Sequence, residues 1–196
     1  MSGDVKKGLT RRGFSGLAAG GIAATALVSP AKAMMRSNAA PGIGLALYDA
    51  RFSAPRAFAA MLREKGVKAQ ETGGDIAVLW FAGLRYDLGA SVRRIAGMGR
   101  HNEFLLMQGL AAEKGLKPVF YAEHDFRGRG TFVHRLPQDD AALVNNLVKS
   151  EDWAAHVAQH LAASKSSARV AALAPVTAKA SPAPDHPGLL VSWLFA

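Results

Sequence analysis

The sequence contains no cysteine. Disulfides, thiolate metal sites and a cysteine nucleophile are thereby excluded, as are a lipid-bearing cysteine at the end of a leader and a C-terminal prenyl site. No long Lys/Arg run is present, so a nucleic-acid footprint is not supported. Gly97-x-Gly99 lacks the third glycine of a dinucleotide fingerprint, and no Gly-Lys-Ser/Thr phosphate loop, Gly-x-Ser-x-Gly elbow or His-Glu-x-x-His pair occurs. A membrane-spanning run is also missing: the apolar stretch Ser15–Pro30 has 16 residues, short of the roughly 20 that a span requires.

What is present is the composition of a globular chain: 196 residues, 49% hydrophobic, with a net charge of +9. The first 33 residues carry Lys6, Lys7, Arg11, Arg12 and Lys32 against Asp4, so the remainder stands at +5. A domain of this size buries roughly 70% of its unfolded surface and needs no disulfide staple. A cysteine-free chain of this kind is compatible with an oxidising compartment.

Residues 1–33 have the three parts of a signal peptide: a basic start, the apolar run, and small residues at Ala31 and Ala33 before a cleavage point. Thr10-Arg11-Arg12-Gly13-Phe14 resembles the twin-arginine (Tat) motif, in which the arginine pair and the phenylalanine are the most specific parts. Gly16, Gly20 and Gly21 dilute the apolar run, and Lys32 sets a positive charge beside the cut; both features are similar to Tat leaders. The resemblance implies export of a folded protein to the periplasm, the Tat translocase and a signal peptidase as partners, and no permanent membrane anchor.

After a short irregular start (34–42), the segment 43–163 alternates strand and helix patterns. Ile43–Ala50 reads as a buried strand, and Ser53 and Pro55 open a helix that ends at Gly66. Val67–Glu71 and Arg93–Met98 read as further strands. Asp75–Leu88 fits both periodicities, and its length and the capping Asp75 favour helix. Asn102 is expected to cap the next helix. Lys117–Phe126 and Thr131–Leu136 form a hairpin around Arg127-Gly128-Arg129-Gly130. Asp139–Ala163 is helical with a break at Ser150, 164–188 reads as an Ala/Ser/Pro-rich linker, and 189–196 as a strand returning to the sheet. The expectation is a three-layer α/β fold with a mainly parallel sheet and one antiparallel hairpin.

In such folds ligands bind beyond the carboxyl ends of the strands. Three loops there supply Asp49, Arg51 and Ser53; Gly73 and Gly74; and Arg100 and His101. Arginines beside free amide groups at helix starts favour a carboxylate or phosphate, so these seven residues form the candidate site for a small anionic ligand. A second constellation follows from pairing Arg127 with Gly130, which sets Glu123 opposite His134 with Asp125 on the same face. That arrangement would suit a hydrolase or metal-dependent enzyme. His156 and His160 lie one helical turn apart without a third ligand, and Trp80, Trp153 and Trp193 read as core or pocket wall. No cofactor is specified. The reading that results is a Tat-exported periplasmic protein that binds a small anion, with that enzyme or an escort of an exported enzyme as alternatives.

Overall fold

The structure, a computed structural model, describes residues 42–126, 131–138, 141–165, 170, 172–179 and 181–196. The leader and most of the 34–42 start lie outside them, as do the turn 127–130 and the start of the helix expected from Asp139.

Seven strands form one mixed sheet in the order β2-β1-β3-β7-β4-β5-β6. These are β1 (Leu45–Tyr48), β2 (Ala69–Glu71), β3 (Ile95–Gly99), β4 (Pro118–Asp125), β5 (Val133–Pro137), β6 (Leu173–Thr177) and β7 (Leu189–Phe195). The fold is α/β, but the sheet is not mainly parallel. Only β1 with β2 and β1 with β3 run parallel, whereas β3–β7, β7–β4, β4–β5 and β5–β6 are antiparallel. The reason is β7, which enters between β3 and β4 against their direction, so that β4 still points the same way as β1, β2 and β3. The segment read as a linker also contributes β6, an edge strand whose Pro175 is tolerated because an edge leaves ladder positions unpaired.

Side chains alternate across the pleat. One face buries Ala46, Met98, Phe120, Ala122, Leu190 and Leu194 under α1 (Ser53–Glu64), α5 (Ala141–Lys149) and α6 (Trp153–Ala163). The other buries Leu45, Leu47, Ile95, Val191, Trp193 and Phe195 under α4 (His101–Glu113) and a helical run from Ile76 to Asp87. A side chain at Gly97 would overlap the Trp193 ring, so glycine is required at this point of β3.

The run Ile76–Asp87 settles the ambiguous segment as helix. It comprises α2 (Ile76–Leu79), a π turn (Trp80–Leu84) and α3 (Arg85–Asp87), with Gly83 at φ 148°. Asp75 caps it, its Oδ1 accepting the Ala77 N–H at 2.9 Å. The predicted helix Asp139–Ala163 appears as α5 and α6, separated at Ser150, whose Oγ accepts the Asp152 N–H at 3.0 Å. Among the described residues no helix is long and apolar enough to cross a membrane.

Candidate functional site

Because β1–β4 point one way, their carboxyl ends share one edge of the sheet. Asp49 follows β1 and is fully buried. It accepts the Arg51 Nε–H on Oδ1 at 2.7 Å and the Arg51 Nη2–H on Oδ2 at 2.5 Å, a two-pronged grip that suits planar groups. Arg100 Nε lies 3.8 Å from the same Oδ2. Burial pushes the Asp49 carboxyl up, but the Arg51 hydrogen bonds and the two guanidinium charges outweigh it, and the net shift is downward. Gly74, at φ 81°, leaves room for the Arg51 guanidinium, which any side chain there would overlap. Arg51 and Arg100 keep 45% and 37% of their side chains exposed, so Asp49 holds both cations at the solvent boundary.

Glu103 completes this half of the edge and was not anticipated from the sequence. It is buried, its Oε1 accepts the Thr72 hydroxyl at 2.6 Å, and its Oε2 accepts the Arg100 N–H at 2.9 Å. The helix cap is accordingly Arg100, with Asn102 inside α4 rather than at its cap. Burial raises the Glu103 carboxyl above its usual range, and the Asp49 charge adds to the rise. Gly99 supplies the space, since a Cβ there would run into the Glu103 carboxylate.

His101, the first residue of α4, leads to the second half. Its Nδ1 lies 3.1 Å from the Tyr121 hydroxyl, which itself donates to Glu123 Oε1 at 3.1 Å. The tyrosine proton is thus spent on Glu123, which assigns the Nδ1–H to His101. Arg135 Nη1 donates to Glu123 Oε2 at 3.1 Å and to Asp125 Oδ2 at 3.0 Å. Burial, then the Glu123 charge, raises the Tyr121 hydroxyl well above its ordinary value. The fold therefore joins Glu123 and Asp125 to the same edge as Asp49, Arg51, Gly74, Arg100 and His101.

One expected member is turned elsewhere. Ser53 turns to Asp185, which accepts its N–H at 2.7 Å and its hydroxyl at 2.6 Å. It lines instead a cavity of about 170 Å³ with Ala57, Glu151, Trp153 and Ser181, between the starts of α1 and α6. Gly73, at φ 60°, is an exposed turn residue with open space around it. His134 does not face Glu123. The register pairs Glu123 with Arg135 and His124 with His134, one residue away from the expected pairing, and a slip of one turns every side chain to the other face.

His134 consequently joins His124 in the α6-side core, both fully buried. Their Nδ1 atoms are 2.8 Å apart, and His124 Nε2 is 3.0 Å from Ser192 Oγ. Trp153 covers both rings, with centroids 4.3 and 5.3 Å away. His134 Nε2 is buried without a hydrogen-bond partner. An orphaned lone pair is tolerated more readily than an orphaned N–H, so His134 carries its proton on Nδ1 and donates to His124, which donates onward from Nε2 to Ser192. Burial, reinforced by His186, lowers the His134 imidazole to about 4, and His124 is lowered further by burial, His134 and His186. Because His124 donates to Ser192 rather than accepting its proton, the serine is not activated as a nucleophile, and both groups are buried inside the sheet. Among the described residues no group of three or more His, Asp or Glu is placed to hold a metal.

His156 Nε2 meets Ser150 Oγ at 3.1 Å and His160 packs 5.7 Å from the Phe120 ring, so the two imidazoles serve different neighbours. Comparison of the chain with known protein families, with curated proteins and with solved structures finds no match in any of the three.

Proposed function

We propose that the protein is exported through the Tat pathway, cleaved after Ala33, and binds a small anionic ligand at the strand-end edge in the periplasm. The observation that carries the binding reading is the pair of guanidiniums, Arg51 and Arg100, held half-exposed on one buried carboxylate. Arg51 uses Nε and Nη2 on Asp49, which leaves its Nη1, and Arg100 gives an Nη2–H to the Gly74 carbonyl at 3.5 Å; a phosphate or carboxylate seated between the two guanidiniums gains charge-assisted bonds. The start of α4, with its positive end, lies beside them. Glu103 sets the charge of the half of the edge that holds the two arginines: with its carboxyl protonated this half carries Arg51 and Arg100 against Asp49 alone, and with it ionised the two signs balance. The anion is therefore bound more tightly as the pH falls through the raised Glu103 value.

Calorimetric titration of the exported form with inorganic phosphate and a series of small carboxylates tests the binding. Saturable heat that disappears in Arg51→Ala and Arg100→Ala is expected; absence of heat from every anion, or heat unchanged in both variants, refutes it. Export is tested separately, by replacing Arg11 and Arg12 with lysine and following the protein into the periplasm. The enzymatic alternative built on Glu123, Asp125 and His134 loses its geometric ground, since His134 lies on the opposite face of the sheet from the two carboxylates.

A further inference from the structure

The helical run Ile76–Asp87 has two apolar faces. Ile76, Trp80 and Leu84 are buried in the core. Val78, Phe81 and Tyr86 point outward and are 62%, 70% and 68% exposed. Ala82 beside Phe81 is exposed as well, and Arg85, half-buried beyond the kink at Gly83, joins Phe81 to Tyr86 across it. Single exposed apolar residues are ordinary, but a contiguous row marks an interaction surface.

The stripe is ordered in advance. The Arg85 guanidinium lies 5.8 Å from the Phe81 ring centroid and 4.6 Å from that of Tyr86, and it donates to the Tyr86 hydroxyl at 2.6 Å. Rigid aromatic rings gripped by arginine lose little freedom on binding. Yet Arg85 forms no salt bridge among the described residues, and its Nε is buried without a hydrogen-bond partner. The surface is complete except for a carboxylate. Asp75, exposed at the opposite end of the same run, has one oxygen engaged by the Ala77 N–H and the other free of any partner among the described residues.

We propose that this stripe is a homodimer interface, in which a second copy packs antiparallel across a two-fold axis near Phe81 and Arg85 of each copy meets Asp75 of the other. A two-fold interface brings residue i of one copy to residue j of the other and the reverse, so opposite charges at the two ends form two equivalent ion pairs. Arg85 and Asp75 supply those charges. An anionic lipid surface fits less well, because the stripe offers one cation while Asp75 and Asp87 at its ends would face the headgroups. Asp75 directly follows Gly74, so the seam borders the edge that holds Arg51.

Sedimentation velocity of the full chain across a wide dilution series reads the association. A reversible dimer is expected, weakened about 30-fold or more in Phe81→Glu, as for loss of a central aromatic anchor. Arg85→Asp and Asp75→Arg each weaken it, and the double swap restores it. Asp75 is exposed and Arg85 half-buried, and thermal unfolding run in parallel confirms that the variants fold. Monomer at every concentration, or a dimer indifferent to Phe81→Glu, overturns the proposal. Failure of the double swap to restore association overturns the antiparallel pairing. A monomer that sediments with anionic vesicles through Phe81 also overturns it and assigns the stripe to lipid.

Discussion

The two polar clusters of this protein handle charge in opposite ways. At the strand-end edge, the carboxylates of Asp49, Glu123 and Asp125 meet the guanidiniums of Arg51, Arg100 and Arg135, so each charge faces an opposite one, and water still reaches the arginines. Across the sheet, burial under Trp153 and the neighbouring imidazoles disfavour a protonated ring at His124 and His134. In the first arrangement the arginines are half-exposed, so their pairing contributes little to stability, and the proposed anion would compete for them on similar terms. The second has no such freedom: it holds the fold together, and a proton is its disruptor. Residue types that look alike in a sequence thus divide into a site and a core.

The contrast breaks hardest at Trp153. Truncation by Trp153→Ala removes the cover of both imidazoles and is expected to lower the unfolding free energy in urea by about 4 kcal/mol, while the protein that stays folded still binds anions. Next in size is the response to acid. Unfolded imidazoles take up protons near pH 6.5, whereas His134 in the fold stays neutral down to about 4. The unfolded chain therefore binds more protons across that window, so stability is full above it and falls as the pH drops through it. His134 alone accounts for about 3 kcal/mol of that loss. Glu103 works in the opposite sense, because its raised folded value lets the native state take up a proton first. Chemical denaturation between pH 7 and pH 4 (a window of about 3 units) should show the loss in the wild type and not in the double variant His124→Leu/His134→Leu.

Asp49→Asn sharpens the comparison from the other side. It should destabilise by only about 1–2 kcal/mol, since the stranded arginines reach water, and it should tighten phosphate binding about ten-fold by removing the competing carboxylate. A variant that loses stability and gains affinity together marks a site; nothing comparable is open to the imidazole pair. The smallest effect is expected for Arg135→Ala, about 1 kcal/mol in thermal unfolding, because Arg135 is itself half-exposed and screened by water.

Local features of the fold were legible in the sequence. Asp75 before an apolar run announced a capped helix, and Ile43–Ala50 announced a buried strand. The loops after β1, β2 and β3 could be placed on one edge because βα alternation forces those strands to run parallel. Direction and register were not legible. LLVSWLF reads as a buried strand whichever way it runs, and only its partners show that β7 lies antiparallel between β3 and β4. The hairpin sequence admits more than one turn length, and a difference of one residue decided whether His134 faced a carboxylate or the core. Glu103 escaped notice because an acid in the first turn of a helix ordinarily sits in solvent near the positive helix end. The faint signal was Gly99 just ahead of it, the glycine that gives its carboxylate room.

The position of β7 has a consequence for how the chain assembles. It is the last of the seven strands in chain order, yet every backbone ladder between the β2–β1–β3 half and the β4–β5–β6 half runs through it. Before it arrives, each half has an open edge and neither has the other to pair with. Closing the sheet thus waits for contacts between residues far apart in sequence, which slows folding. Arg11 and Arg12 are synthesised long before the strand that joins the two halves of the sheet, so export by the proposed Tat route, which carries folded chains, would have to wait for Leu189–Phe195.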